Sequence, residues 1–65
     1  MREIDFEPMI EALGKKLNTY FIVTINPENI DQVRLVSIKG HLRTPYTNYV
    51  SKEALAKYIA YRLDD

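Results

Sequence analysis

The chain has 65 residues, a 46% hydrophobic fraction, and nine basic side chains balanced by nine acidic ones, so it is formally neutral at pH 7. A unit of this size encloses one hydrophobic core at most. With no cysteine and a single histidine, His41, disulfides and a structural zinc site are excluded as supports, and packing alone must hold the fold together.

The opening Met1-Arg2-Glu3-Ile4-Asp5 lacks the basic start and apolar run of a signal peptide. No stretch approaches the roughly 20 apolar residues that span a bilayer. The expectation is a cytoplasmic protein without a membrane partner. Charge is unevenly distributed: residues 1 to 33 carry three basic and six acidic side chains, and residues 34 to 65 carry six basic and three acidic.

Phe6, Met9, Ile10, Leu13 and Leu17 fall on one helical stripe, with Glu7, Glu11, Lys15 and Lys16 mostly off it. This periodicity predicts an amphipathic helix over about 6–17. Asp5 is its expected N-cap, Pro8 is tolerated in a first turn whose amides have no helical partner, and Lys15 and Lys16 suit the negative C-terminal end. Gly14 costs helix propensity and reads as close packing or early termination.

Residues 19–25 are rich in β-branched and aromatic side chains, and alternation puts Phe21, Val23 and Ile25 on one face and Tyr20, Ile22 and Thr24 on the other. Asn26-Pro27-Glu28-Asn29 has turn chemistry, so residues 32–39 are expected to return as the second strand of a hairpin. In that strand Val33 and Leu35 share one face while Val36 and Ile38 share the other. Either a β-bulge near Leu35 gathers them on one side, or both faces are partly apolar and a partner covers the helix-free one.

Gly40 breaks the strand, and residues 41–44 suit a short third strand ended by Pro45, with Pro45 to Val50 as loop. Ser51 is the natural N-cap of a second helix over 51–63, with Val50 and Leu55 as a hydrophobic staple and Leu55, Tyr58, Ile59 and Leu63 as its buried stripe. The expected architecture is one α+β domain spanning 1–65. It has two layers: an antiparallel sheet of two or three strands, with both helices on one face, in the order α-β-β-(β)-α.

Catalytic chemistry finds little material. A nucleophile would need a base, and His41 has only distant hydroxyls such as Ser37 and Ser51 to work with. The carboxylates are scattered, and the two glycines, Gly14 and Gly40, stand in unrelated places, so neither a metal site nor a phosphate loop is expected. No cofactor and no enzymatic activity are expected.

What stands out is the span from Arg34 to Arg62, where Arg34, Lys39, Arg43, Lys52, Lys57 and Arg62 face a single acid, Glu53, with tyrosines interleaved. Arg43, Tyr46, Tyr49, Lys52, Lys57, Tyr61 and Arg62 are the candidate partner-binding residues. Amphipathic rings and cations serve a protein interface or, as the alternative, a nucleic acid. Tyr20, Ile22, Val33 and Leu35 are the candidate face for a homodimer.

The element order is similar to that of double-stranded-RNA-binding domains, and Ser51-Lys52-Glu53-Ala54 resembles the basic start of their last helix. The resemblance implies that Lys52 and Lys57 lie nearest to phosphate. The chain departs from that pattern by placing Glu53 among the lysines and Glu28 and Asp31 in the first hairpin turn, where they repel a phosphate backbone. A small protein-binding regulator, adaptor or inhibitor is therefore the leading expectation, and a nucleic-acid-binding module the second.

Overall fold

A computed structural model describes residues 4–64. Its elements are α1 (Glu7–Leu17), β1 (Tyr20–Asn26), β2 (Asn29–Lys39), β3 (Leu42–Pro45), β4 (Val50–Ser51) and α2 (Lys52–Asp64). Two helices and a four-stranded antiparallel sheet form the α+β fold expected, extended by one strand.

α1 starts one residue later than its periodicity suggests. Phe6, in the right-handed helical region, holds the cap position without a side-chain bond. Asp5 still contributes, because its carboxylate accepts the Glu7 N–H at 3.1 Å. The helix runs through Gly14 and stops at Asn18, which adopts a left-handed conformation (φ 55°) and donates its N–H to the Gly14 carbonyl, the helix-ending geometry that asparagine tolerates. Gly14 serves close packing: a Cβ there would lie 2.6 Å from the Thr19 carbonyl oxygen.

β1 and β2 form a hairpin through Pro27-Glu28, with Asn26 Oδ1 accepting the Glu28 N–H at 2.9 Å and Asn29 Oδ1 accepting the Asp31 N–H at 3.1 Å. The register is continuous from Tyr20↔Ile38 to Ile25↔Val33 and shifts between Ile25 and Asn26. The irregularity thus sits at the turn, and no bulge gathers the apolar residues of β2 on one side. Both faces of the sheet are apolar in part.

β2 is the central strand. β1 flanks one side, and β3 and β4 lie in line along the other. Pro45 to Val50 is therefore only partly the loop its composition suggests. Val36 pairs with Pro45 and Val33 with Val50, so Arg34 and Leu35 face the four residues from Tyr46 to Tyr49. Leu35 remains fully bonded across this widening. Its carbonyl accepts the Tyr46 N–H at 2.8 Å and the Thr47 N–H at 3.3 Å, and its N–H donates to Thr47 Oγ1 at 3.0 Å.

The core joins Leu13 of α1, Phe21 of β1, Val33 and Leu35 of β2, and Leu55 and Ile59 of α2. Phe6, Met9, Ile10, Leu17, Val23, Val50 and Tyr58 pack around it. Tyr46 turns inward as well, with its ring edge-on to Phe21 at 5.0 Å and tilted to Tyr58 at 6.5 Å. α2 starts as its cap residue predicts, with Ser51 Oγ accepting the Ala54 N–H at 3.2 Å. Leu63, expected in the buried stripe, is exposed at the helix end.

This arrangement corrects the dimer face read from the sequence. Val33 and Leu35 are 2% and 0% exposed beneath the helices, so they cannot share a surface with Tyr20 and Ile22. Strand alternation instead places Val36 and Ile38 beside those two.

A candidate docking face on the sheet

The seven candidate partner-binding residues do not form one surface. Lys52, Lys57 and Tyr61 are exposed on α2, and the Arg62 carbonyl accepts a bond from Lys16 Nζ at 2.7 Å. Tyr46 lies against the core rings. Arg43 and Tyr49 belong to the helix-free side of the sheet, Arg43 through its pairing with Ile38 and Tyr49 through the Arg34 guanidinium, which lies 4.5 Å from its ring centroid. The basic half of the sequence is thus divided between opposite sides of the molecule.

The helix-free face is the more coherent surface. Register places Tyr20 beside Ile38, Ile22 beside Val36 and Thr24 beside Arg34, and extends the same face across β3 through Arg43 and Pro45. Its centre is aliphatic: Ile22 and Ile38 are half-buried about Val36, which is only 4% exposed. Tyr20, at 79% exposure, stands at one corner. At the other end, Asn26 Nδ2 donates to Gln32 Oε1 at 3.1 Å. Tyr20 and Ile22, candidates for a dimer face from the sequence, and Tyr49 and Arg43, candidates for partner binding, fall on this one face. The signal that unites them is strand register, which a single sequence does not display.

Arg34 is the polar feature of this face. Its stacking on Tyr49 is a cation–π contact, and its Nε is buried without a hydrogen-bond partner. The hydroxyl of Thr24, its neighbour across the strands, is also buried and unpartnered. Buried polar atoms are nearly always satisfied in folded proteins, by water or a ligand where protein groups do not serve.

His41 is exposed in the turn between β2 and β3. Among the described residues, no three His, Asp or Glu side chains gather closely enough to hold a metal ion, and no helix is long and apolar enough to cross a membrane. A shallow groove between α1 and the adjoining ends of β1 and β2 brings Glu7, Glu11, Lys15 and Lys39 to its walls. The Glu11–Lys15 ion pair at 3.7 Å is solvent-exposed and worth little. Burial raises the phenol pKa of Tyr58 above the ordinary 10.0, the adjacent Tyr46 raises it further, and Arg62 partly offsets both.

Comparison with protein-family models, with curated proteins and with solved structures finds no match.

Proposed function

We propose that this chain is a small protein-binding module of regulator or adaptor type, which engages its partner through the helix-free face of the sheet. The observation that carries this reading is the pair of half-buried isoleucines, Ile22 and Ile38, set about the buried Val36 on a face that no helix covers, with Tyr20 79% exposed beside them. An apolar centre with an aromatic residue and an arginine at its margin is the anatomy of a protein interface. Nucleic-acid binding through Arg43, Lys52 and Lys57 is less well supported, because the sheet and α2 present these cations in different directions.

The test places a photo-crosslinking phenylalanine analogue at position 20 or at position 61, both exposed tyrosines, in cells that make the protein. Position 20 should yield a discrete adduct with another protein, and Ile38→Glu should abolish it. An adduct formed from position 61 alone, or with nucleic acid alone, refutes the reading.

A further inference from the structure

Charge on the helix-free face points to the kind of protein it would accept. Arg34 and Arg43 both lie there, and no strand residue that shares the face is acidic: Asp31 belongs to the opposite face by alternation, and Glu28 lies in the turn. The guanidinium carbon of Arg34 lies 4.5 Å from the centroid of the Tyr49 ring, a contact that restrains the side chain before any ligand arrives. A planar guanidinium suits a carboxylate, and restraining it in advance lowers the entropy cost of pairing.

We infer that the face docks a protein segment in which carboxylates flank apolar side chains. The carboxylates would answer Arg34 and Arg43, and the apolar groups would cover Ile22 and Ile38, which are half-buried on either side of the buried Val36. The inference rests on the docking-face reading above. A second copy of the chain docked face to face is a poorer occupant, because it would set Arg34 and Arg43 against the same two cations with no acid between them. A single-stranded nucleic acid is also poorer, because bases stack on aromatic platforms and the centre of this face is aliphatic, with its one strongly exposed ring at a corner.

The experiment titrates isotopically labelled protein with three pools of short peptides that alternate Leu, Ile or Val with acidic residues, with lysine, or with serine, and separately with an oligothymidylate; amide resonances are followed by NMR. The acidic pool should saturate shifts at Ile22, Arg34, Val36, Ile38 and Arg43, with an affinity that falls as salt is raised. Arg34→Met, whose folding is checked by its thermal midpoint, should weaken binding tenfold or more, in the range expected for losing a charge-assisted hydrogen bond. Arg43→Glu should weaken the acidic pool and strengthen the lysine pool, a gain that a misfolded chain would not show. If the serine pool perturbs the face as strongly as the acidic pool, the acidic-partner inference fails while the docking-face reading survives. If no pool touches the face, both fail. Preferential binding of the oligothymidylate there, or a doubling of mass with the face protected, overturns the inference in favour of nucleic acid or a second copy.

Discussion

Replacing Gly14 with alanine sets two effects of opposite sign against each other. In a free helix the change is favourable by about 1 kcal/mol, because glycine loses more backbone entropy on ordering. Here the new methyl would sit 2.6 Å from the Thr19 carbonyl oxygen, well inside van der Waals contact. The obstacle is main chain and cannot rotate aside. It is also tethered, because the Thr19 N–H donates to the Gly14 carbonyl at 3.0 Å. Overpacking of this kind costs about 1–3 kcal/mol, and a rigid obstacle belongs toward the upper end. The net expectation is a loss of about 1–2 kcal/mol, which for a domain of this size lowers the melting temperature by about 5–15 °C. Circular dichroism melts of Gly14→Ala and of Ala12→Gly, an exposed position of the same helix, give the comparison. If Gly14→Ala melts at or above the parent temperature, helix propensity outweighs the contact and the packing argument is wrong.

Two further outcomes follow from single contacts. Thr47→Val keeps the shape of the side chain but removes the hydroxyl that accepts the N–H of fully buried Leu35, and should cost about 1–3 kcal/mol in urea unfolding; a loss below about 0.5 kcal/mol, the usual reach of a surface substitution, would mean that water replaces the hydroxyl. Tyr58 carries a raised pKa because of burial first and Tyr46 second. The unfolded chain then releases this proton at lower pH than the folded one, so its effect on stability is absent below about pH 10 and becomes a loss as pH rises through the folded value. Phenolate absorbance of the folded protein should show one tyrosine titrating late, and Tyr58→Phe should flatten the alkaline decline; an unchanged decline would assign it to other groups.

The elements whose signals are local were legible in the sequence. The apolar stripe of α1, the β-branched run of β1 and the Ser51 cap of α2 each depend on neighbours within a few residues, and each appears within a residue or so of its expected place. β4 and the three extra residues at the start of β2 were not legible: Asn29-Ile30-Asp31 has turn composition and joins the strand where Asn29 pairs back on Asn26, while Pro45-Tyr46-Thr47-Asn48-Tyr49, which leads into β4, is held by a partner distant in sequence, Leu35, through Tyr46 and Thr47. The candidate site suffered most from the same cause. Grouping cations by their position along the chain joined Arg43 to Lys52 and Lys57. Strand pairing instead joins Arg43 to Ile38 and so to Tyr20, and it buries Val33 and Leu35 on the far side.

The widened stretch opposite Arg34 and Leu35 holds two residues more than a regular ladder would need. Because side chains alternate with a period of two, an even surplus leaves the facing of everything downstream unchanged. Val50 therefore still meets Val33 beneath the helices, and Ser51 arrives in place to start α2. Removing one residue between Pro45 and Val50 would invert that phase, turning Val50 outward and carrying Ser51 away from the amide it caps. Removing two would restore a plain ladder and keep both. Length in this segment is thus quantised in pairs, a rule that any insertion, tag or graft placed there would have to obey.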